Sequence, residues 1–216
     1  MQILKEDFAG FDAQLIIMDV VPWMLPYYEA SGIQFEIEDN RDYMDYTFTP
    51  EQFLAGMDIQ DDRYRYNYFK RRFAYETEEI TPFHREEIRE FMEREWCGEK
   101  TCEECHCGCL LRVIDNLVPV FDKIRINGIL VRVEGKMAGL CIVSCRNGLG
   151  VYQYKNAVNR IKGINEYLLR ESFERYLQSA DTINYTEDMG VENLRYYKEH
   201  MAPAHTLLSK LTLTER

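Results

Sequence analysis

The residues with the clearest chemical potential follow a predicted strand that ends near Asn156. Arg160, Gly163 and Asn165 lie at the start of the next predicted helix. A helix N-terminus and an arginine both attract anions, and a glycine lets the chain turn closely around a ligand. The spacing therefore predicts a phosphate site, and we expect Lys155, on the strand, to face the same cleft. The simpler alternative is an ordinary helix start.

A second polar segment joins a predicted strand to a predicted helix near the C-terminus. Glu187 and Asp188 lie in the loop, while Arg195 and Lys198 share one face of the helix because they are three residues apart. Such carboxylates act as bases when their surroundings tune them, and such cations bind anionic substrates. The alternative is a capped helix with a surface ion-pair network, in which each pair contributes about 0–1 kcal/mol.

Five cysteines and a histidine are concentrated in residues 97–109. Thiolates and imidazole are zinc ligands, but structural zinc sites usually draw two ligand pairs from separate segments, and this window crowds its ligands. We therefore weigh a zinc site against a reduced loop between two helices, and favour the loop. The members of the window are Cys97, Cys102, Cys105, His106, Cys107 and Cys109.

Residues 63–73 alternate cations with aromatic side chains, a pattern that suits binding to a nucleic-acid backbone. The chain as a whole carries 37 acidic and 26 basic residues, a formal net charge of −11. That charge disfavours non-specific contact with nucleic acid or anionic membranes. We therefore interpret this segment as an amphipathic helix with its aromatics in the core.

Hydrophobic periodicity predicts an α/β protein with a mixed sheet and helices on both of its faces. No apolar stretch approaches the roughly 18 residues that span a bilayer, and the N-terminus lacks the apolar core of a signal peptide, so we expect a cytoplasmic protein. The predicted strands are 12–21, 34–38, 129–133, 137–145, 148–156, 180–185 and 207–213, and we expect the first of them to be buried. The predicted helices are 23–30, one that opens at Pro50, 61–73, 83–96, 110–121, 160–178 and 191–201. In helix 83–96, Phe83, Ile88, Phe91 and Met92 form an apolar stripe.

Several motifs together resemble one family across nearly the whole chain. Residues 184–203 are similar to N-x-x-x-D-x-G-x-x-x-L-R-x-x-K-x-x-x-x-P, and residues 128–136 to a G-x-L-x-V-x-G-K hairpin. Residues 39–46, DNRDYMDY, resemble a D-R-D-x-x-D-Y run, and residues 54–69 contain L-x-G and R-x-x-x-N-x-F matches. These motifs are those of the phosphatidylglycerol lysyltransferase C-terminal family, whose fold resembles GNAT acyltransferases.

The resemblance implies transfer of an acyl or aminoacyl group, with acyl-CoA or aminoacyl-tRNA as donor and a small molecule or a lipid headgroup as acceptor. It assigns Lys155, Glu187 and Asp188 to catalysis. Arg160, Gly163 and Asn165 would hold the donor, because a comparable R/Q-x-x-G-x-G/A turn binds the pyrophosphate of CoA in GNAT enzymes. Asn184, Arg195 and Lys198 would bind the substrate.

The resemblance also implies two GNAT-like lobes, which we expect to be a partial lobe at 1–75 and a C-terminal domain at 76–216. Asp61 and Asp62 stand where the family has paired lysines, which weakens a tRNA donor. A shortened first lobe favours an alternative of another class, a non-catalytic binding or assembly module that keeps the fold. Homodimerisation is one way to cover the surface that a missing lobe would leave.

Overall fold

The computed structural model describes residues 14–97, 110–201 and 205–216. The chain forms two compact units, one from Met1–Thr47 with Tyr185–Arg216 and one from Phe48–Asn184. These boundaries differ from the predicted lobes 1–75 and 76–216, because the last strand of the chain pairs with strands near its beginning. The assignment of GNAT-like lobes to these sequence ranges stays a prediction.

Helices and strands are interspersed along the chain, in pairs and short runs. The strands are β1 (Ile16–Val20), β2 (Phe35–Asp39), β3 (Asp45–Phe48), β4 (Tyr75–Glu79), β5 (Ile126–Val133), β6 (Lys136–Arg146), β7 (Leu149–Ala157), β8 (Thr182–Asn184), β9 (Thr206–Leu208) and β10 (Leu211–Glu215). The α-helices are α1 (Leu25–Glu29), α2 (Pro50–Met57), α3 (Gln60–Arg72), α4 (Arg85–Met92), α5 (Leu110–Leu117), α6 (Ile164–Ser172) and α7 (Glu192–Met201).

In the unit that contains both ends of the described chain, β10 lies between β1 and β2 and is antiparallel to both. Leu213 of β10 pairs with Ile17 on one side and with Ile37 on the other. Leu213 and Leu211 are buried with Val20 in a small apolar core. In the same unit, residues 45–47 of β3 pair antiparallel with β9.

The other unit is built on the strand order β4-β5-β6-β7-β8. Neighbouring strands are antiparallel except for the last pair, β7 and β8, which run parallel. Because the sheet has both parallel and antiparallel pairs, the predicted α/β class with a mixed sheet is confirmed. The centre of the sheet is apolar. The buried side chains of β5 and β6 include Ile129, Leu130, Val131, Leu140, Ile142 and Val143.

Local chemistry explains how several of these elements begin and turn. The hydroxyl of Thr49 accepts from the Gln52 amide at 3.2 Å, the Gln52 side chain accepts from the Thr49 amide at 2.8 Å, and Pro50 takes the first helical position. Between β5 and β6, Glu134 and Gly135 have φ angles of 53° and 74°. Positive φ at both central residues is the geometry of a tight hairpin turn, as the sequence predicted.

Four predicted elements need correction. The strands β3 and β4 were missed, because β3 has four residues and β4, with the sequence YETEE, carries three glutamates that mask its alternation. The predicted strand 207–213 is two strands, β9 and β10, separated by Ser209 and Lys210. The predicted helix 160–178 begins at Ile164 instead, because Gly163 has a φ of 88°, outside the helical region.

Two predictions of burial were wrong. The first strand was expected to be buried, yet Ile16 and Met18 are 54% and 55% exposed, and among the five residues of β1 only Val20 is buried. Phe83 was expected on the apolar stripe of its helix but is 97% exposed, since it lies in the 3-10 turn Pro82–His84 before α4 begins. The other members of that stripe are buried, namely Ile88, Phe91 and Met92. Among the described residues, no helix is long and apolar enough to cross a membrane.

Candidate active site

The strand β7 ends in a position where open sheets commonly bind ligands. Its parallel pairing with β8 joins Leu149 to Thr182, Gly150 to Ile183 and Val151 to Asn184. The strand itself continues to Ala157, so its last six residues extend beyond these pairs. Crevices at the carboxyl ends of parallel strands are a recurrent ligand position in α/β proteins. Lys155 lies in this extension and is partly exposed.

An open cleft of about 630 Å³ lies at this end of β7. Three of the residues that the sequence analysis selected, Lys155, Arg160 and Asn165, line it together. Arg160 belongs to the loop between β7 and α6, and its side chain is 78% exposed. The predicted juxtaposition of a strand lysine, an arginine and an amide is therefore present, and two cations with an amide donor suit a phosphate ester.

Glu95 also lines this cleft, and the sequence analysis did not select it. Its carboxylate lies 3.9 Å from the Arg160 guanidinium and accepts from Arg94 Nε at 2.8 Å. Glu95 belongs to a π-helical turn, Glu93–Cys97, that follows α4, and its side chain is 14% exposed. No sequence signal points to this contact, because Glu95 and Arg160 are 65 residues apart and each lies among other charges.

Gly163 is explained by close packing rather than by ligand contact. A Cβ atom built on it would lie 2.1 Å from the Arg65 carbonyl oxygen and 3.0 Å from Phe69 Cβ. The turn before α6 therefore presses against α3, and only glycine fits there with a φ of 88°. These contacts explain why a glycine occupies position 163 without any bound ligand. The role of Gly163 in holding a donor stays a prediction.

Asn184, predicted to bind substrate, is the last residue of β8 and is 8% exposed. Its pairing partner is Val151, in the part of β7 that precedes the cleft. The residue is thus integrated into the sheet.

Asp188, in the other unit, is fully buried and holds a dense polar cluster together. Arg195 binds it in two places, Nε to Oδ2 at 3.0 Å and Nη2 to Oδ1 at 2.9 Å. Oδ2 also accepts from the Tyr46 hydroxyl at 2.7 Å and from Arg41 Nη1 at 3.1 Å. Oδ1 accepts from the Gly190 amide at 3.0 Å. The pairing of Asp188 with Arg195 matches the alternative interpretation of this loop, an ion-pair network, although the carboxylate is buried and not on the surface. The predicted roles of Asp188 in catalysis and of Arg195 in substrate binding stay predictions.

The surroundings of Asp188 set the pKa of its carboxyl group. Burial by itself raises the pKa, but the hydrogen bonds from Arg195, Tyr46 and the Gly190 amide outweigh burial and hold the pKa well below its usual range. A general base works best with a pKa near the working pH and with access to the proton that it removes. A buried carboxylate with five donors and a lowered pKa is suited to holding the loop, not to proton transfer.

Lys198 and Glu187 have different polar partners around this loop. The Lys198 ammonium is buried and donates to the carbonyl oxygens of Tyr185 at 2.5 Å, Glu187 at 2.8 Å and Thr186 at 3.1 Å. The Glu187 carboxylate lies 3.3 Å from the ammonium of Lys210. Lys198 is therefore committed to the main chain of the loop, while the side chain of Glu187 stays 27% exposed.

The partners of Asp188 from the first part of the chain were not selected as site residues. Arg41 and Tyr46 belong to the segment DNRDYMDY, whose resemblance to the family motif was the available signal. Asp42 of the same segment accepts from Arg195 Nη2 at 2.5 Å, and Arg41 Nη2 donates to Glu199 at 3.0 Å. The motifs at residues 39–46 and 184–203 are about 140 residues apart in the sequence. Each motif can be recognised by itself, but the sequence does not reveal which of their residues are in contact.

The aromatic and cationic helix α3 follows the interpretation of an aromatic core only in part, because Phe69 is its one buried aromatic side chain and Tyr64 is 50% exposed. Phe69 is fully buried, and Tyr66 stacks on Tyr167 of α6 with ring centroids 5.9 Å apart. The ammonium of Lys162 lies over the rings of Tyr64 and Tyr68, at 4.9 and 5.2 Å. All four aromatic side chains of α3 therefore have partners within the unit, either in the core or on the surface of the helix.

The predicted zinc window lies mostly outside the described residues. Cys102, Cys105, His106, Cys107 and Cys109 lie outside them. Within the described ranges, no group of three or more His, Cys, Asp or Glu side chains is arranged to hold a metal ion.

Comparisons with known proteins place the chain in a family. The sequence profile of the phosphatidylglycerol lysyltransferase C-terminal family matches residues 1–209. A search among curated proteins finds no match. A conserved protein of unknown function from Bacteroides thetaiotaomicron VPI-5482 has a similar structure, with a TM-score of 0.77 and 23% identity over 100% of this chain and 74% of that one.

Two further structures define the fold. L-PGS from Bacillus licheniformis is similar with a TM-score of 0.68 and 14% identity over 99% of this chain and 70% of that one. A tandem GNAT protein from the clavulanic acid biosynthesis pathway is similar with a TM-score of 0.53 and 9% identity over 93% of this chain and 62% of that one. The GNAT-like fold that the sequence predicted is thereby confirmed.

Proposed function

Because the chain belongs to the phosphatidylglycerol lysyltransferase C-terminal family, we propose that it transfers an acyl or aminoacyl group from a phosphate-bearing donor to an amine or hydroxyl acceptor. The observation that carries this proposal is the cleft at the end of β7, which brings Lys155, Arg160 and Asn165 together. Acyl-CoA and aminoacyl-tRNA both supply an activated acyl group next to phosphates, so either suits the cleft.

The reaction is a nucleophilic acyl substitution. The acceptor nitrogen or oxygen forms a bond to the acyl carbon, and the bond from that carbon to the sulfur or oxygen of the donor breaks. The acceptor gives up one proton, and the departing thiolate or alkoxide takes one. Negative charge gathers on the acyl oxygen in between, and groups that stabilise such charge supply a large part of catalysis in acyl transfer.

We assign the phosphate of the donor to Arg160 and Asn165, and the developing charge on the acyl oxygen to the Lys155 ammonium. Arg160 is well suited because its exposed guanidinium offers several donors in a planar fork. The predicted base role rests on the family motif. Of its two candidates, Glu187 keeps solvent access, whereas the contacts of Asp188 support a positioning role.

A non-catalytic binding or assembly module remains the second candidate, and one observation favours it. Two residues of the family motif, Arg195 and Lys198, are engaged by a buried carboxylate and by main-chain carbonyls. A protein that retained this motif only to keep its fold would look the same in this region.

A transfer assay separates the two candidates. Lysyl-tRNA and acetyl-CoA serve as donors in parallel, with phosphatidylglycerol vesicles and a panel of soluble amines as acceptors. We expect transfer by the wild type and a loss of about 100-fold in rate for Lys155→Ala, since one charge-stabilising group is worth about that much. Lys123→Ala, which removes an exposed lysine elsewhere in the same unit, is the control. No transfer from either donor, or equal rates for Lys155→Ala and the wild type, would contradict the proposal.

A further inference from the structure

A second cleft adjoins the first and shares one residue with it. It has a volume of about 440 Å³ and lies beside the hairpin turn between β5 and β6. Arg160 lines both clefts, so its side chain stands at the boundary between them. A group bound to Arg160 is therefore able to extend in two directions, one toward Lys155 and the other into the second cleft.

The lining of the second cleft differs from that of the first. Its walls are mainly apolar and come from four parts of the unit, and several of these side chains are buried, Val133, Met137 and Val158 among them. Charged groups stand at the rim. The apolar members are Phe73, Val133, Met137, Ala138, Val158 and Ile161, and the charged ones are Arg94, Glu134, Lys136 and Arg160.

The walls and rim of this cleft are fixed by hydrogen bonds. Arg94 donates to the Met137 carbonyl at 3.2 Å and to Glu95 at 2.8 Å, which sets the orientation of its guanidinium. The Glu134 amide donates to the Ala74 carbonyl at 3.2 Å, which ties the hairpin turn to the residue after Phe73. A cleft whose walls are already held in place loses less entropy when it binds a ligand.

The side chains that line these clefts have a net positive charge, whereas the chain as a whole has a net negative charge. Four cations and two carboxylates line the pair of clefts, whereas the whole chain has a formal net charge of −11. A local positive field on an acidic protein selects a specific anion, since polyanions in general are repelled by the rest of the surface.

We propose that the second cleft holds the nucleoside of a nucleotide whose phosphate lies at Arg160. The apolar walls suit the faces of a base, guanidinium groups stack on bases, and the Glu134 carboxylate accepts from amino groups of a base. A lipid head group such as that of phosphatidylglycerol also offers donors to the carboxylate, but it has no flat ring face for the apolar walls. This inference rests on the proposed function, because the nucleotide is the non-reacting part of the donor, and CoA and the 3′ end of a tRNA both contain one.

Calorimetric titration tests the inference without any transfer reaction. ADP and inorganic pyrophosphate are titrated into the wild type, Arg160→Ala, Ile161→Ala and the control Ile124→Ala, a partly exposed isoleucine in the same unit. We expect ADP to bind about tenfold more tightly than pyrophosphate, because its nucleoside buries apolar surface. Ile161→Ala should weaken the binding of ADP about fivefold and leave the affinity for pyrophosphate unchanged. Arg160→Ala should weaken the binding of both ligands.

Equal affinity for ADP and pyrophosphate, no binding of either, or an unchanged ADP affinity in Ile161→Ala would overturn the inference. It would also be overturned if dihexanoyl phosphatidylglycerol bound more tightly than ADP and Ile161→Ala abolished that binding. Melting temperatures confirm that each variant folds. If Ile161→Ala does not fold, Lys136→Ala, at the exposed first residue of β6, repeats the ADP test. It should weaken ADP binding, and an unchanged ADP affinity would overturn the inference in the same way.

The same titrations with CoA and with a CCA-ended RNA hairpin identify the source of the nucleotide. Success with ADP and failure of transfer would overturn the proposed function alone. Transfer without preference for ADP over pyrophosphate would overturn only the nucleoside cleft.

Discussion

The two regions to which the sequence drew attention use charge in opposite ways. In one unit, Asp188 has no solvent exposure and accepts hydrogen bonds from Arg41, Tyr46, Arg195 and a main-chain amide. In the other, the Arg160 side chain is 78% exposed at the boundary of two clefts. Charges with matched internal partners hold a fold together, whereas exposed charges beside a cavity are available to a ligand.

This comparison changes how the family motif is interpreted. Its most specific part, residues 184–203, contains the buried carboxylate and the lysine that binds three carbonyls. A motif can thus be specific because it builds a loop, without any of its charged residues touching substrate. The less specific turn around Arg160, by contrast, lines a cleft.

The largest effect is expected from Asp188→Asn. This change removes the buried anion that Arg41 and Arg195 share, and breaking such a pair costs about 3 kcal/mol of unfolding free energy. That figure is the lower limit of the usual range, because both arginines are about one third exposed and each keeps a second carboxylate, Glu199 for Arg41 and Asp42 for Arg195. Denaturant unfolding measures the loss, and Asp122→Asn, at an exposed site, is the control. Wild-type stability with abolished transfer would instead identify Asp188 as a catalytic base.

Acid should erase the difference between the wild type and Asp188→Asn. Because the pKa of Asp188 is lower in the folded protein than in the unfolded chain, its contribution to stability is full above the unfolded pKa of about 4 and is lost as the pH falls toward the folded value. Unfolding free energies at pH 7, 5 and 3 should show a constant gap at the first two values and a smaller gap at pH 3. A gap that grows toward low pH would contradict the assigned direction.

Gly163→Ala separates the two roles of the turn before α6. Positive φ costs a residue with a Cβ about 1–2 kcal/mol, and the contact with the Arg65 carbonyl adds to that cost. Gly135→Ala is the matched control, because Gly135 has a φ of 74° but no atom within 4 Å of its Cβ position. We expect Gly163→Ala to lower the unfolding free energy by about 1 kcal/mol more than Gly135→Ala. Equal losses would indicate that α3 and the turn are not in close contact.

The sequence predicted the fold class and much of the candidate site because those features are local. Lys155, Arg160 and Asn165 lie within eleven residues, so a strand followed by a helix necessarily brings them near one another. Asp188 and Arg195 are seven residues apart, across one loop. In both cases the order of the secondary-structure elements is enough to bring the side chains near one another.

What the sequence did not predict depends on contacts between distant segments. The insertion of β10 between β1 and β2 joins residues about 170 to 200 positions apart, and no local pattern encodes it. The same holds for Glu95 beside Arg160 and for Arg41 and Tyr46 around Asp188. The apolar residues of the second cleft look like ordinary core residues in the sequence, so only the folded chain reveals a cavity there.

The most direct test of this account measures the affinity of CoA for three proteins at pH 7: the wild type, Arg160→Ala and Arg195→Ala. If the exposed arginine binds the donor and the paired one holds the loop, Arg160→Ala should weaken CoA about tenfold with an unchanged melting temperature. Arg195→Ala should lower the melting temperature and, at a temperature where it is folded, bind CoA as the wild type does. The reverse pattern, with affinity lost in Arg195→Ala and retained in Arg160→Ala, would contradict the account.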